Sequence, residues 1–436
     1  MKSIFNSVLI IILFFLCCNG SAQETLTLEQ AIKTALQNNF EIKISQNELL
    51  VDKTNVTIGN AGMLPALTGN FIDNNSVQSA SQTGQNGVVT ERENAKNMNL
   101  NYGVGLDWTV FDGFRMFARY DQLKELQKLG DAELKFTIIS RIADVISTYY
   151  DLVQQQQQLS ALDSTIVISN QRLELAKNRF TIGRASKLEV LNAQVDLNTD
   201  TTTLLQQKEL YANTKTQLNQ ILARDLSIDF NVVDNVQIDE NLLLPELIAL
   251  AEKQNPQLQA QIINRKIAEL ELKQVRAARY PTIVVNSGYN FTNSRSDLGF
   301  AAKSSSRGLT YGFTARLNIF NGFNQNRNEK VARIQLENTQ LTIDQQKLAL
   351  NTQLTTAYQS YLTNLELTKL EQKNEAIAKQ NLDITLDKFR IGTITTLEFR
   401  TAQLNYINAI VRNNNAQLQA KLSEIALKEL AGTLNF

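Results

Sequence analysis

Histidine is absent from this 436-residue sequence, which also has only two cysteines, four prolines and one tryptophan. Without His, the usual zinc ligand and the commonest general base are missing. Both cysteines, Cys17 and Cys18, lie at the end of an apolar N-terminal run that follows Met1-Lys2 and closes on Gly20-Ser21-Ala22. A basic start, a short apolar core and a small-residue ending describe a secretory signal peptide, residues 1–22, too short to span a membrane. Cleavage is expected after Ala22. The alternative is a lipoprotein signal acylated at Cys17 or Cys18, although Leu16 and Cys17 stand where a small preceding residue is expected. After cleavage no thiol remains, which excludes disulfides and thiolate chemistry. Neither sign of charge dominates, with 43 Lys+Arg against 43 Asp+Glu, and loss of Lys2 leaves a mature net charge of about −1. That balance does not suggest nucleic acid as a partner. There is no Gly-rich phosphate loop and no nucleophile motif. The expectation is an exported chain that is not an enzyme and holds no cofactor and no metal.

What is present is written twice. Phe111-Asp112-Gly113-Phe114 recurs as Phe320-Asn321-Gly322-Phe323, 209 residues later. At the same offset Phe180-Thr181-Ile182-Gly183 recurs as Phe389-Arg390-Ile391-Gly392, Leu188-Glu189 as Leu397-Glu398, Ala193-Gln194 as Ala402-Gln403, and Tyr149 as Tyr358. Nearer the N-terminus the offset is 216, with Leu64-Pro65 against Tyr280-Pro281 and Asn39-Phe40 against Asn255-Pro256. The seven extra residues fall in a Ser-, Gln-, Asn- and Gly-rich stretch of the first half, roughly 74–97, which reads as a longer loop. The repeats run 23–230 and 231–436.

Each repeat opens with short helices (Leu28 to Asn38; Pro245 to Gln254) and then alternates strictly. From Met98 to Val110 every even position is apolar or aromatic and every odd one is polar or Gly. Leu309, Tyr311, Phe313, Ala315, Leu317 and Ile319 repeat that pattern, 283–291 is a fair third case and 66–73 a weaker fourth. A period of two marks a strand with unlike faces. Expected strands are 66–73, 98–111, 282–292 and 309–320. A soluble sandwich would explain one such strand. These, however, approach the roughly 9–11 residues that cross a bilayer at a tilt. Aromatics also gather at one end, as Trp108, Phe111, Phe114, Phe320 and Phe323, where an interfacial girdle would sit. Tyr102, Val104, Leu106, Trp108, Val110, Tyr311, Phe313, Leu317 and Ile319 are then expected to face lipid. Four strands cannot close a barrel, and an open edge in lipid leaves backbone groups unsatisfied. Two copies would give about eight strands, filled by side chains; three would give about twelve, enough for a channel.

Proline is absent between Pro65 and Pro245 and after Pro281. A helix from Gly113 to Phe180 would extend roughly 100 Å. Within it Val145, Leu152, Leu159, Ile166, Leu173 and Phe180 recur every seventh residue, as do Val190, Leu197, Leu204, Tyr211 and Leu218, then Leu404, Val411, Leu418 and Ile425. Thin sevenfold apolar seams indicate helices packed along a coiled contact with their other sides in water.

The doubled layout, the Phe-Asp/Asn-Gly step from strand into long helix, and the motifs Arg179-Phe180-x-x-Gly183 and Lys388-Phe389-x-x-Gly392, each followed by Leu-Glu and Ala-Gln, resemble the TolC-like outer-membrane factor family over essentially the whole mature chain. The resemblance implies a mostly α protein with a transmembrane β-barrel: duplicated long-helix coiled-coil hairpins plus four strands per chain, assembled as a homotrimer with a twelve-stranded barrel on a periplasmic helical tunnel. It implies an exit channel in the Gram-negative outer membrane, in contact with outer-membrane lipid. The implied partners are a periplasmic adaptor (membrane fusion protein) and an inner-membrane RND or ABC-type pump, for efflux or type I secretion. Phe180, Gly183, Phe389 and Gly392 match the periplasmic tips that meet the adaptor. Glu398 matches an aperture carboxylate, three copies of which would form an acidic ring, and Glu189 matches a position that helps hold the aperture shut. Glu398 could equally be a solvated helix carboxylate. At the gate this chain departs from the pattern: Phe389 replaces a gating Tyr, and Ile394 stands where a gate Arg is found.

A periplasmic adaptor also has a helical hairpin, but only one, flanked by domains with no counterpart here. An exported structural coiled coil would explain the sevenfold seams and not the four strands.

Overall fold

The computed structural model describes residues 24–85, 87–297 and 301–434; the expected signal peptide, its cleavage after Ala22 and the alternative acylation sites Cys17 and Cys18 lie outside the described residues. Helices are α1 (Leu28–Asn38), α2 (Phe40–Asn55), α3 (Arg115–Thr181), α4 (Lys187–Ile221), α5 (Leu244–Gln254), α6 (Pro256–Ala277), α7 (Asn324–Ile391) and α8 (Thr396–Ala431). Strands are β1 (Glu24–Leu26), β2 (Ala66–Thr83), β3 (Val89–Asp112), β4 (Phe230–Val232), β5 (Thr282–Ser296) and β6 (Lys303–Arg316). Among the described residues no helix is long and apolar enough to cross a membrane.

Local chemistry sets these boundaries. The Thr27 hydroxyl accepts from the Gln30 N–H and the Gln30 side chain from the Thr27 N–H, a reciprocal cap that starts α1. The Asn39 side chain accepts from the N–H groups of Glu41 and Ile42 and so starts α2; Asn255 does the same for Leu258 at the head of α6. Both halves also pass from sheet to long helix in one way. Gly113-Phe114 and Gly322-Phe323 are left-handed at both residues, with φ of +72°, +69°, +66° and +62°. Two such residues in succession turn the chain sharply, and Phe adopts that region only against steric cost.

The chain divides into two compact units that cut across its repeats. One comprises Met1–Gln46, Ala132–Gln259 and Gln345–Phe436, over the described residues. Here β1 and β4 pair in parallel against a core of Ile142, Val145, Ile146, Leu152, Leu218 and Phe230. Tyr149 Oη ties this small sheet down, donating to the Leu26 carbonyl and accepting from the Val233 N–H, each at 3.0 Å. Its repeat partner Tyr358 donates to the Leu242 carbonyl at 3.2 Å. Nearby, burial pushes the Glu429 carboxyl up from its ordinary range, the Asp144 charge adds to the push, and Arg141 opposes it. Burial likewise raises Asp144, against Arg141 and with Glu41.

The other unit, Asn47–Asp131 and Ala260–Asp344, holds an antiparallel sheet in the order β2-β3-β5-β6. Register assigns its faces. Leu67 and Phe71 on β2 lie opposite Leu106 and Tyr102 on β3, Tyr102 and Trp108 lie opposite Phe291 and Val285 on β5, and Val285 and Tyr289 lie opposite Phe313 and Leu309 on β6. Directly paired residues share a face, so from the Leu67 row to the Phe71 row one face is apolar but for Ser287 and, on β6, Arg307. The reverse face carries Thr68, Gly103, Gly105, Asn286, Gly288, Thr310, Gly312 and Thr314. At Gly103 it tolerates no Cβ, which would lie 2.4 Å from Asn290 Oδ1, whereas Gly312 has open space. β2 and β6 each have one neighbour, which leaves two open edges.

The strands depart from expectation in extent. β2 runs on to Thr83, β3 begins at Val89, and β5 reaches Ser296, so the stretch expected as a loop at 74–97 is mostly strand. Backbone pairing needs no apolar side chains, so a strand polar on both faces carries no period of two to read. β6 runs Lys303–Arg316, not 309–320, which puts Leu317 and Ile319 beyond the strand, 51% and 93% exposed. Val110 is the extra residue of a bulge between Thr109 and Phe111, and Phe111, not Val110, lies opposite Ile283. A bulge shifts the alternation by one.

Two outcomes are expected. A Cβ at Gly113 would lie 2.3 Å from the Ala277 carbonyl oxygen, whereas at Gly322 it would meet only Asn324 Nδ2, at 3.8 Å. Gly113→Ala should therefore abolish folded protein, while Gly322→Ala should cost only its left-handed backbone, about 1–2 kcal/mol, seen as a modest fall in melting temperature. Secondly, a carboxyl whose folded pKa is raised adds stability below its unfolded pKa and loses it as pH rises through the folded value. Glu429→Gln should stabilise the protein at neutral pH and flatten the decline in melting temperature between mild acid and neutrality.

Candidate functional site

Two helical hairpins, α3–α4 and α7–α8, reverse at Gly183 and Gly392, with φ of +73° and +81°. The backbone closes each helix identically. Gly183 N–H donates to the Phe180 carbonyl at 3.0 Å and Arg184 N–H to that of Arg179 at 2.8 Å; Gly392 and Thr393 repeat this with Phe389 and Lys388 at 3.1 and 3.0 Å. This paired closure needs a left-handed residue past the helix end, which Gly supplies. Ser186 then caps α4 through the Glu189 N–H, and Thr395 caps α8 through the Glu398 N–H.

The two tips differ above that shared frame. Phe389 is 1% exposed, stacked on Phe399 with ring centroids 4.9 Å apart and planes at 13°, in a cluster with Leu382, Ile394 and Tyr406. Its repeat partner Phe180 is 46% exposed. Arg179 joins the hairpins: Nη2 donates to the Phe389 carbonyl at 2.5 Å and the guanidinium lies 4.7 Å over the Phe389 ring. Glu189 accepts from the Thr396 hydroxyl at 2.7 Å, with Arg179 Nη1 at 3.8 Å. So Glu189 bridges the hairpins. Glu398 instead lies exposed and accepts from the Thr395 N–H at 3.2 Å, the reciprocal half of its helix cap. Ile394, at the position of the family's gate Arg, packs against the Phe389–Phe399 stack.

Behind the tips lies a buried charged layer that the sequence reading missed. Arg400 Nη1 and Nη2 donate to the two carboxylate oxygens of Asp200, each at 2.8 Å, with side-chain exposures of 10% and 8%. Ser169 donates to Asp200 at 2.6 Å and Gln403 donates to Ser169 at 3.0 Å. Arg172 Nη1 lies 2.6 Å from Asp196, but off the N–H direction, so that buried nitrogen makes no hydrogen bond. The layer couples α8 to α3 and α4, and it belongs to one repeat face only. At the 209-residue offset Arg400 matches Leu191 and Asp200 matches Ala409. Positions where the repeats disagree in charge were the signal that could have found it.

Of the expected tip residues, then, Phe180, Gly183 and Gly392 lie at the surface of the reversals, and Phe389 does not. Its side chain fills the space between helices instead of offering itself to a partner, because the second repeat has Phe399 to stack on where the first has Val190.

Known proteins resemble this chain throughout. The model of the family described as outer membrane efflux protein matches residues 31–224 and 247–433. The proteases secretion protein PrtF of Dickeya chrysanthemi is 19% identical over 427 residues, covering 96% of this chain and 91% of that protein. The probable efflux pump outer membrane protein TtgC of Pseudomonas putida is 23% identical over 412 residues, covering 93% and 82%. Among solved structures, the Campylobacter jejuni CmeC outer membrane channel superposes with a TM-score of 0.78 at 17% identity, covering 93% of this chain and 85% of that one. The outer-membrane channel OprN gives 0.76 at 16%, covering 93% and 89%.

Removing one member of a buried ion pair strands the other, at about 3–5 kcal/mol. Asp200→Leu and Arg400→Leu should each lower stability on that scale, and the double variant Asp200→Leu/Arg400→Leu should recover much of the loss in a thermodynamic cycle.

Proposed function

The chain belongs to the outer membrane efflux protein family, and from that membership we propose that it works as a homotrimeric exit channel of the Gram-negative outer membrane. The observation that carries this reading is a four-stranded sheet with one apolar face and two open edges. Leu67, Phe71, Tyr311 and Phe313 on that face are 72%, 74%, 82% and 74% exposed. Hydrocarbon takes such a face at no desolvation cost, but leaves every unpaired edge N–H and C=O group at a penalty of several kcal/mol. Pairing β6 of one copy with β2 of the next removes both edges, and three copies make about twelve strands around an aqueous lumen. Tyr102, Val104, Leu106, Trp108, Tyr311 and Phe313 meet lipid; Gly and Thr of the reverse face line water.

The long hairpins then form the periplasmic tunnel, and their tips receive a periplasmic adaptor fed by an inner-membrane RND or ABC-type pump. Phe180, Gly183 and Gly392 offer the contact surface. Glu189 holds the two hairpins of one copy together, and Glu398, exposed at the start of α8, contributes one carboxylate per copy to the aperture. The protein passes substrates outward, for efflux or secretion, and performs no chemistry on them.

Detergent extracts of outer membranes should yield oligomers that resist SDS until boiled; a dissolved monomer without detergent would sink the reading. In planar bilayers Glu398→Gln should weaken cation preference. The substitution keeps the cap hydrogen bond and removes only charge, so unchanged selectivity would remove Glu398 from the aperture.

A further inference from the structure

On β5 and β6 the apolar face of the sheet stops abruptly along its length. On β6 the residues of that face run Ala315, Phe313, Tyr311, Leu309 and then Arg307, Ser305, Lys303; on β5 they run Ile283, Val285, Ser287, Tyr289, Phe291 and then Asn293, Arg295. On these two strands the boundary falls at the row in which Phe71, Tyr102, Phe291 and Arg307 are successive register partners, while on β3 Leu100 and Met98 carry the apolar face two rows further, Met98 directly opposite Arg295. Three rings of that row touch: Tyr102 stacks on Phe291 at 4.9 Å with planes at 8°, and Phe71 lies 6.5 Å from Tyr102. From Ile283 to Phe291 the strand runs roughly 26 Å along its own axis, about 20 Å along the membrane normal at the usual tilt of barrel strands, which fits within their apolar band of about 25 Å. The sequence placed aromatics at the opposite end of the strands; this row is a second girdle.

Beyond it the charge is unbalanced. Arg295 and Lys303 lie directly opposite each other in the β5–β6 register, an arrangement that is repulsive unless something anionic sits between them. Arg307, on the same face, lies two rows nearer the rings. All three are exposed, and among the described residues none of them makes an ion pair. Between the charges Ser305 donates to Asn293 at 2.8 Å, which leaves that amide's nitrogen free to donate. The nearest acid, Asp297, accepts from the backbone N–H of Lys96 at 3.1 Å, and Lys96 adds a further cation to this face. Within one copy Asp73 is two strands from Arg295 and three from Lys303, and the β6–β2 junction of the proposed trimer brings one further Asp73 to the β6 side, so the cations still outnumber the acids.

We propose that Arg295, Lys303 and Arg307 form a binding site for the phosphate of an anionic lipid head group in the outer leaflet, with the acyl chains lying over Leu309, Tyr311 and Phe313. This rests on the barrel reading, which sets the apolar face in lipid and the cations at the head-group level. A phosphate between Arg295 and Lys303 relieves their repulsion, and the guanidinium forks fit its oxygens. The aromatic row beneath fixes the depth, as rings do at a membrane interface.

The test uses the full-length oligomer, wild type and the variant R295Q/K303Q/R307Q. Each is reconstituted into vesicles of phosphatidylethanolamine alone or mixed with phosphatidylglycerol, and bound lipid is counted by native mass spectrometry. Each cation near an anionic surface contributes roughly fivefold to lipid association. Retention of phosphatidylglycerol should therefore fall on the order of a hundredfold in the triple variant and be restored by R295K/R307K on the wild-type background of Lys303. Equal retention by wild type and triple variant overturns the site. Displacement of the lipid by inorganic phosphate at equal affinity would make it a soluble-anion site, which also overturns the assignment. Flotation of both proteins with the vesicles reports barrel insertion separately: if neither floats, the channel reading fails with it.

Discussion

Two unpaired strand edges govern this molecule. A sheet can hide an apolar face from water in lipid or against another layer, but its edge donors and acceptors must find backbone partners. β2 and β6 carry 18 and 14 residues along those edges, too many to satisfy with scattered side chains. In the proposed assembly, copy number and aqueous lumen follow from how these edges are closed. In the proposed trimer each is closed by an identical neighbour, so the assembly has no free edge and needs no other chain in the membrane.

The helical part obeys the opposite economy. Its seams are thin, and much of its interior contact is polar: Gln155 donates to Thr214, Asn364 to Ser423, and Gln403 to Ser169. Helices joined by many short polar contacts can face water on their remaining sides, as a wall between two aqueous spaces requires. The ion pair of Asp200 and Arg400 is among the buried charges, and hydrogen bonds from Ser169 and to Gln403 surround it, as a charge kept from water requires.

Much of this was legible in the residues. The duplication, the Gly-Phe steps, the tip glycines and the alternating faces all leave local signatures, because glycine conformation and period-two patterning are imposed one residue at a time. What escaped was either patternless or long-range. The polar extensions of β2 and β3 have no apolar period. The bulge at Val110 costs one residue of phase. The burial of Phe389 depends on Phe399, and the pairing of Asp200 with Arg400 joins positions 200 residues apart, where neither side chain is unusual for a helix surface. The polar-to-apolar boundary at Arg307 became visible only once register aligned four strands.

The inequality of Phe180 and Phe389 has a consequence for whatever meets the hairpins. A duplicated chain assembled threefold approximates sixfold symmetry, yet here its ends come in two kinds: one displays a ring to solvent, while the other has withdrawn it. A docking protein built from six equal copies would have to tolerate alternating receptors, gripping well at every second position. Duplication has thereby let the two hairpins diverge: one keeps its ring exposed, and the other packs it between helices.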